Sequence, residues 1–212
     1  MGGIDLPRGR FTDALVAFSA FAGLMVIAVL GADMAAIRYG FIPQDFLGGG
    51  WNGDPLRAWL SPLASAFIAR DVLSAAFNLV LLLITGRYVE KALRPLGLAI
   101  VVIAGIYGSA LARLVLTPGS LMPGAGLDPA VFALIGAYFM LYGLPAALPI
   151  GQGKSRAVRI AMVAGIWFGI QVVFSLVTQN FELSVAFVEP IAALCVGMLL
   201  AQPLLKWQYR RA

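Results

Sequence analysis

Asp71, Ser74, Asn78, Asp128, Gln171 and Glu189 stand inside or at the ends of long apolar runs. Ionisable and amide groups there are costly unless they face protein or water. Asp71 and Ser74 lie at i and i+3, so a helix sets a hydroxyl beside an acid, and Asn78 and Thr85 continue that broad face. A carboxylate is a weak base for a hydroxyl, which leaves Ser74 a poor nucleophile. Asp128 and Glu189, brought together, would form a carboxylate pair able to share a proton, as in aspartic catalysis. Arg70 and Arg113 are the cations placed to neutralise Asp128. The chain has no histidine, which excludes a histidine general base and histidine metal ligation. Its one cysteine, Cys195, makes no intrachain disulfide. Nothing in this set calls for a metal or a cofactor.

Asp128 also has a structural reading. It follows the Gly/Pro-rich approach Pro123-Gly-Ala-Gly-Leu and precedes Pro129, a good first helical residue. An Asp at that point can cap unpaired N–H groups and is favoured by the helix dipole. Asn78 has a comparable reading as an interhelical hydrogen-bond residue, and Gln171, near Trp167, as a packing residue.

The elements that hold these residues are set by composition. Of 212 residues, 61% are apolar and 12% charged, and the mean hydropathy is +0.91. That is the composition of an all-α polytopic membrane protein. Apolar runs predict six spans in a single domain, 1–212: roughly 14–31, 60–84, 96–116, 129–148, 161–177 and 185–205. A long connection, 32–60, carries Trp51 and Trp59 and suits a segment lying at headgroup level. Six spans put both termini on one side. Of the 15 Lys and Arg residues, all but Arg38, Arg57, Arg70 and Arg113 then fall on that side. This bias predicts cytoplasmic termini, and the compact basic-looped chain suggests a bacterial inner membrane. Basic residues dispersed over short loops do not make a nucleic-acid groove. Ala133 and Ala137 on the fourth span, and Ala193, Gly197 and Ala201 on the sixth, predict a close crossing of those two helices.

Three windows in this order resemble the rhomboid family of intramembrane serine proteases and their inactive relatives. Asp71-Val-Leu-Ser-Ala-Ala-Phe-Asn78 through Gly86-Arg-Tyr-Val-Glu90 is similar to the family's asparagine helix. Gly126-Leu-Asp-Pro129 resembles its Gly-x-Ser-Gly helix start, and Val188-Glu-Pro-Ile191 falls where it has its histidine. The resemblance implies a six-helix bundle with a lateral opening between the second and fifth helices and a polar pocket below the outer surface. It also implies where chemistry would sit. The serine position holds Asp128, the histidine position Pro190, and the second helix keeps Asn78 while its histidine positions fall near Ala69 and Ser74. Serine attack needs an adjacent base and preplaced oxyanion donors. The expectation is therefore a non-catalytic rhomboid-like protein, embedded in the bilayer, that binds transmembrane segments of other proteins at Asp71, Ser74, Asn78, Asp128, Gln171 and Glu189. The alternatives are residual endopeptidase activity, or passage of a small solute or ion along Arg70, Asp71, Arg113, Asp128 and Glu189.

Overall fold

The computed structural model describes residues 7–50, 53–69, 72–143, 158, 162, 165 and 183–210. Among them the chain is helical. The elements are α1 (Arg10–Leu30), α2 (Ala32–Tyr39), a short α3 (Pro43–Asp45) running into a π-turn (Phe46–Gly50), α4 (Pro55–Ala66), α5 (Val72–Leu116), α6 (Asp128–Tyr142) and α7 (Leu183–Tyr209). Among the described residues three stretches are long and apolar enough to cross a membrane: Arg10–Leu30, Val72–Leu116 and Phe187–Tyr209. The shorter α6 is equally apolar.

α5 is two helices in one. At Arg94 the backbone takes φ 58° and ψ 173° just before Pro95. Proline disfavours the helical region for the residue before it, and this corner folds the chain back on itself. The outgoing arm, 72–93, and the return arm, 95–116, both present residues to α6: Asn78 meets Asp128, and Gly105 faces the Pro129 carbonyl and Ala133. The return arm coincides with the expected third span.

The expected second span, 60–84, is divided. α4 ends at Ala66, residues 67–69 are not helical, and the outgoing arm is described from Val72. Arg70-Asp71 stand in the sequence between the two helices, but the apolar residues on either side read as one span. Pro62 cannot donate to the Ala58 carbonyl; the Ser61 hydroxyl donates to that oxygen instead, at 2.8 Å. Ile68, 3% exposed, turns inward beyond the helix end and packs with Ala35 and Ala125. The helix at the expected fourth span, 129–148, ends at Tyr142, and residues 144–148 lie outside the described residues. Gly143, at φ 82°, caps it after Tyr142 and donates to the Phe139 carbonyl at 3.0 Å. The sixth span lies within α7. The fifth, 161–177, lies outside the described residues apart from 162 and 165.

The core lies where the α5 arms, α6 and α7 meet, around Leu82, Leu98, Val101, Val131, Leu134 and Ala193. The α6–α7 crossing is the closest approach. A Cβ at Gly136 would strike the Leu194 carbonyl, and one at Gly197 would strike the Ala133 carbonyl. The small residues of these two helices thus let backbone meet backbone.

α1 is tied on at its opposite end. Glu90 of α5, 8% exposed, accepts from Phe11 N at 3.1 Å, from Thr12 N at 2.8 Å and from the Thr12 hydroxyl at 2.6 Å. One carboxylate therefore satisfies the first orphan donors of another helix and complements its dipole. Arg87, one turn before Glu90, pairs with Asp13 at 2.8 Å. Glu90→Ala should cost about 2 kcal/mol, the upper end for losing a helix cap, and Glu90→Gln less. Limited proteolysis near residues 7–12 in detergent is the readout; equal cleavage of wild type and Glu90→Ala would refute the anchoring role.

Candidate functional site

Asp128 does not cap its helix. The N-cap is Leu127, and Asp128 is the first helical residue, with no side-chain cap bond. Gly126, at φ +115°, makes the difference. Its positive φ turns the chain so that its own N–H donates to the Ser65 carbonyl at 3.0 Å and the Leu127 carbonyl accepts from Val131 N, also at 3.0 Å. The Asp128 carboxylate is thereby freed from local capping and reaches across to the outgoing arm of α5. There Asn78, 5% exposed, donates Nδ2 to Asp128 Oδ1 at 3.2 Å.

Glu189 takes a different partner. Arg113, on the last turn of the return arm, donates Nη1 to Glu189 Oε1 at 2.8 Å. Its side chain is wholly buried, so it does not reach out to the membrane surface as a basic residue near a span end usually does. Arg113 instead gathers the outer loops. It donates to the Met122 carbonyl at 2.7 Å and the Phe41 carbonyl at 3.4 Å, and its guanidinium lies 5.8 Å from the Phe41 ring centre. Phe41 and Gly124 exchange backbone hydrogen bonds beside it, at 2.8 and 3.3 Å. A Cβ at Gly124 would sit 2.6 Å from Arg113 Nη1 and 3.0 Å from Glu189 Oε1, so the strand-like pair closes over the ion pair only with glycine there.

The two carboxylates expected to face one another are thus held apart in function. Asp128 is bonded to Asn78 and Glu189 to Arg113. The expected Asp128–Arg113 pairing is replaced by Arg113–Glu189, because α7 delivers Glu189 beside Pro190 at the end of the return arm. Two members of the expected charged path are closed into an ion pair.

Ser74, Asn78, Asp128, Glu189 and Pro190 do share one cavity, of about 980 Å³. Ser74 and Asn78 stand one turn apart on the same face of α5. Most of the lining is apolar, including Phe77, Leu81, Phe132, Ile135 and Leu194. α1 forms another wall through Ser19, Gly23 and Ile27, and the exposed Cys195 of α7 also lines it. Asp71 and Gln171, with Arg70, lie outside the described residues. Sequence alone gave no sign that α1 or Cys195 belongs to the site, because neither carries a polar pattern. Arg113 was visible as a charge in an apolar run, but its partner was not.

An asparagine helix, a Gly-x-x-Pro helix start and a close small-residue crossing now stand in one bundle. A family model described as Rhomboid domain matches residues 57–207. The chain belongs to the rhomboid family. No curated protein matches it. The match begins within α4 and ends within α7, so it spans the whole cavity except the α1 wall. The chain is thus a rhomboid-like, integral membrane protein.

Proposed function

We propose that this rhomboid is non-catalytic and binds transmembrane segments of other membrane proteins in the cavity beside Asp128. The observation that carries this reading is the Asn78–Asp128 hydrogen bond at 3.2 Å. It joins the surviving oxyanion donor to the residue in the nucleophile's place, so the donor is engaged by a carboxylate before any substrate arrives. An oxyanion hole works only through preplaced, available donors. A fixed anion at that point opposes a developing negative charge. The absence of any histidine removes the base that a serine mechanism requires. What remains is a large, mostly apolar cavity with a few polar groups at one end, the general form of a binding site.

The reading includes six spans, both termini in the cytoplasm, and a bacterial inner membrane. The distribution of Lys and Arg supports that orientation.

The test is site-specific photocrosslinking in native membranes from positions 74 and 128, with lipid-facing Leu199, 74% exposed, as control. Adducts with single-span membrane proteins are expected from 74 and 128 and not from 199. Lipid adducts alone from all three positions would overturn the proposal. A fluorogenic transmembrane substrate should show no turnover by the wild type; turnover that Asp128→Ala abolishes would restore a peptidase.

A further inference from the structure

The cavity's charge is uneven. Glu189 meets Arg113 at 2.8 Å, whereas among the described residues no Lys or Arg lies within ion-pair reach of Asp128. Its partner is the neutral amide of Asn78. One end of a mostly apolar space therefore holds a carboxylate whose partner among the described residues is an amide. Ser19, 4% exposed on the α1 wall, has its hydroxyl oxygen without a hydrogen-bond partner among the described residues. Both features suit a polar group brought in by an occupant. The size suits a helix. A cylinder of about 10 Å diameter and 5.4 Å pitch fills roughly 400 Å³ per turn, so about 980 Å³ takes on the order of two turns.

We propose that the cavity selects membrane segments carrying a Lys or Arg near the outer end of the span, whose cation pairs with Asp128. This rests on the reading of the chain as a binder of transmembrane segments and names the class of segment. A lone cation in hydrocarbon is strongly disfavoured, so a segment of this kind gains most from a fixed carboxylate reached through an apolar wall. A segment with only apolar side chains fills the same space but leaves Asp128 buried against it. An acidic segment adds a second negative charge beside the first.

The single native cysteine supplies the probe. Cys195 lines the cavity and is exposed. The full chain, labelled there with a benzophenone maleimide, is reconstituted in phosphatidylcholine vesicles with a twenty-residue Leu/Ala segment bearing one Lys, Leu or Glu near its outer end. Irradiation should capture the Lys segment about tenfold more than the Leu segment, a ratio that a modest charge-pair coupling supplies, and the Glu segment least. Asp128→Asn keeps an oxygen to accept from Asn78 and should lower Lys capture to the level at which the same variant captures the Leu segment. Ser74→Arg, one turn from Asn78 on the same cavity face, should remove the preference independently by supplying a cation within the chain. Equal capture of Lys and Leu segments, or a preference that survives both variants, overturns this proposal and leaves the general binding reading standing. Capture of no segment, with label found only on lipid, overturns both. Loss of Lys capture when phosphatidylethanolamine forms half the bilayer would assign the carboxylate to a lipid ammonium and also overturn it.

Discussion

Glu189→Ala should destabilise the protein by about 3–5 kcal/mol, the range for breaking a buried ion pair from one side. The reason is the state of what remains. Arg113 is wholly buried, and its guanidinium would keep its charge while losing the carboxylate at 2.8 Å. The carbonyls of Phe41 and Met122 are dipoles and do not replace that charge. Arg113→Ala should cost a similar amount by stranding Glu189. The double variant Arg113→Met with Glu189→Leu removes both charges and should recover most of the loss, since well-packed apolar replacements of buried pairs are often close to neutral. Reversible unfolding in mixed micelles, titrated with SDS, measures all three. Single variants within about 1 kcal/mol of wild type would mean that the pair is solvated and not structural. The same singles should raise hydrogen exchange across 117–127, because that loop hangs on Arg113 through Met122. Exchange unchanged there, with global stability lowered, would place the pair's effect elsewhere.

Gly197→Leu should be at least as damaging, above about 3 kcal/mol, and Gly136→Val close behind. Overpacking a filled core commonly costs about 1–3 kcal/mol when side chains can shift. Here the obstacle is main chain: the Ala133 carbonyl at Gly197 and the Leu194 carbonyl at Gly136. Relief requires α6 and α7 to separate, which also moves Asp128 away from Asn78 and Glu189 away from Arg113. Leu199→Val on the same helix, at an exposed position, should stay within about 0.5 kcal/mol. SDS-titrated unfolding again gives the magnitude. Tolerance of Gly197→Leu at wild-type stability would show that the crossing is looser than backbone contact.

Particular residues show how far the sequence reaches. The crossing of the fourth and sixth spans was legible because small residues at four-residue spacing state a packing requirement locally. The return arm was legible because its apolar run is bounded by Pro95 and by the loop after Leu116. The divided second span was not, because the residues from Pro62 to Ile68 are apolar whether they span a membrane or turn inside a protein. Arg113 was legible as a charge but not as the partner of Glu189, since a side chain's direction depends on which neighbours it finds.

The sequence by itself determined that this is a helical membrane protein with rhomboid-like windows and no histidine. Those properties reside in composition, order and local spacing, and need no contacts to be read. Only the tertiary structure decided which carboxylate meets which partner. Asp128 stands fifty residues from Asn78, and Glu189 seventy-six from Arg113, separations over which no periodicity carries information. Helix packing fixed those pairings, and with them gave Glu189 a cation and Asp128 an amide at the wall of one cavity.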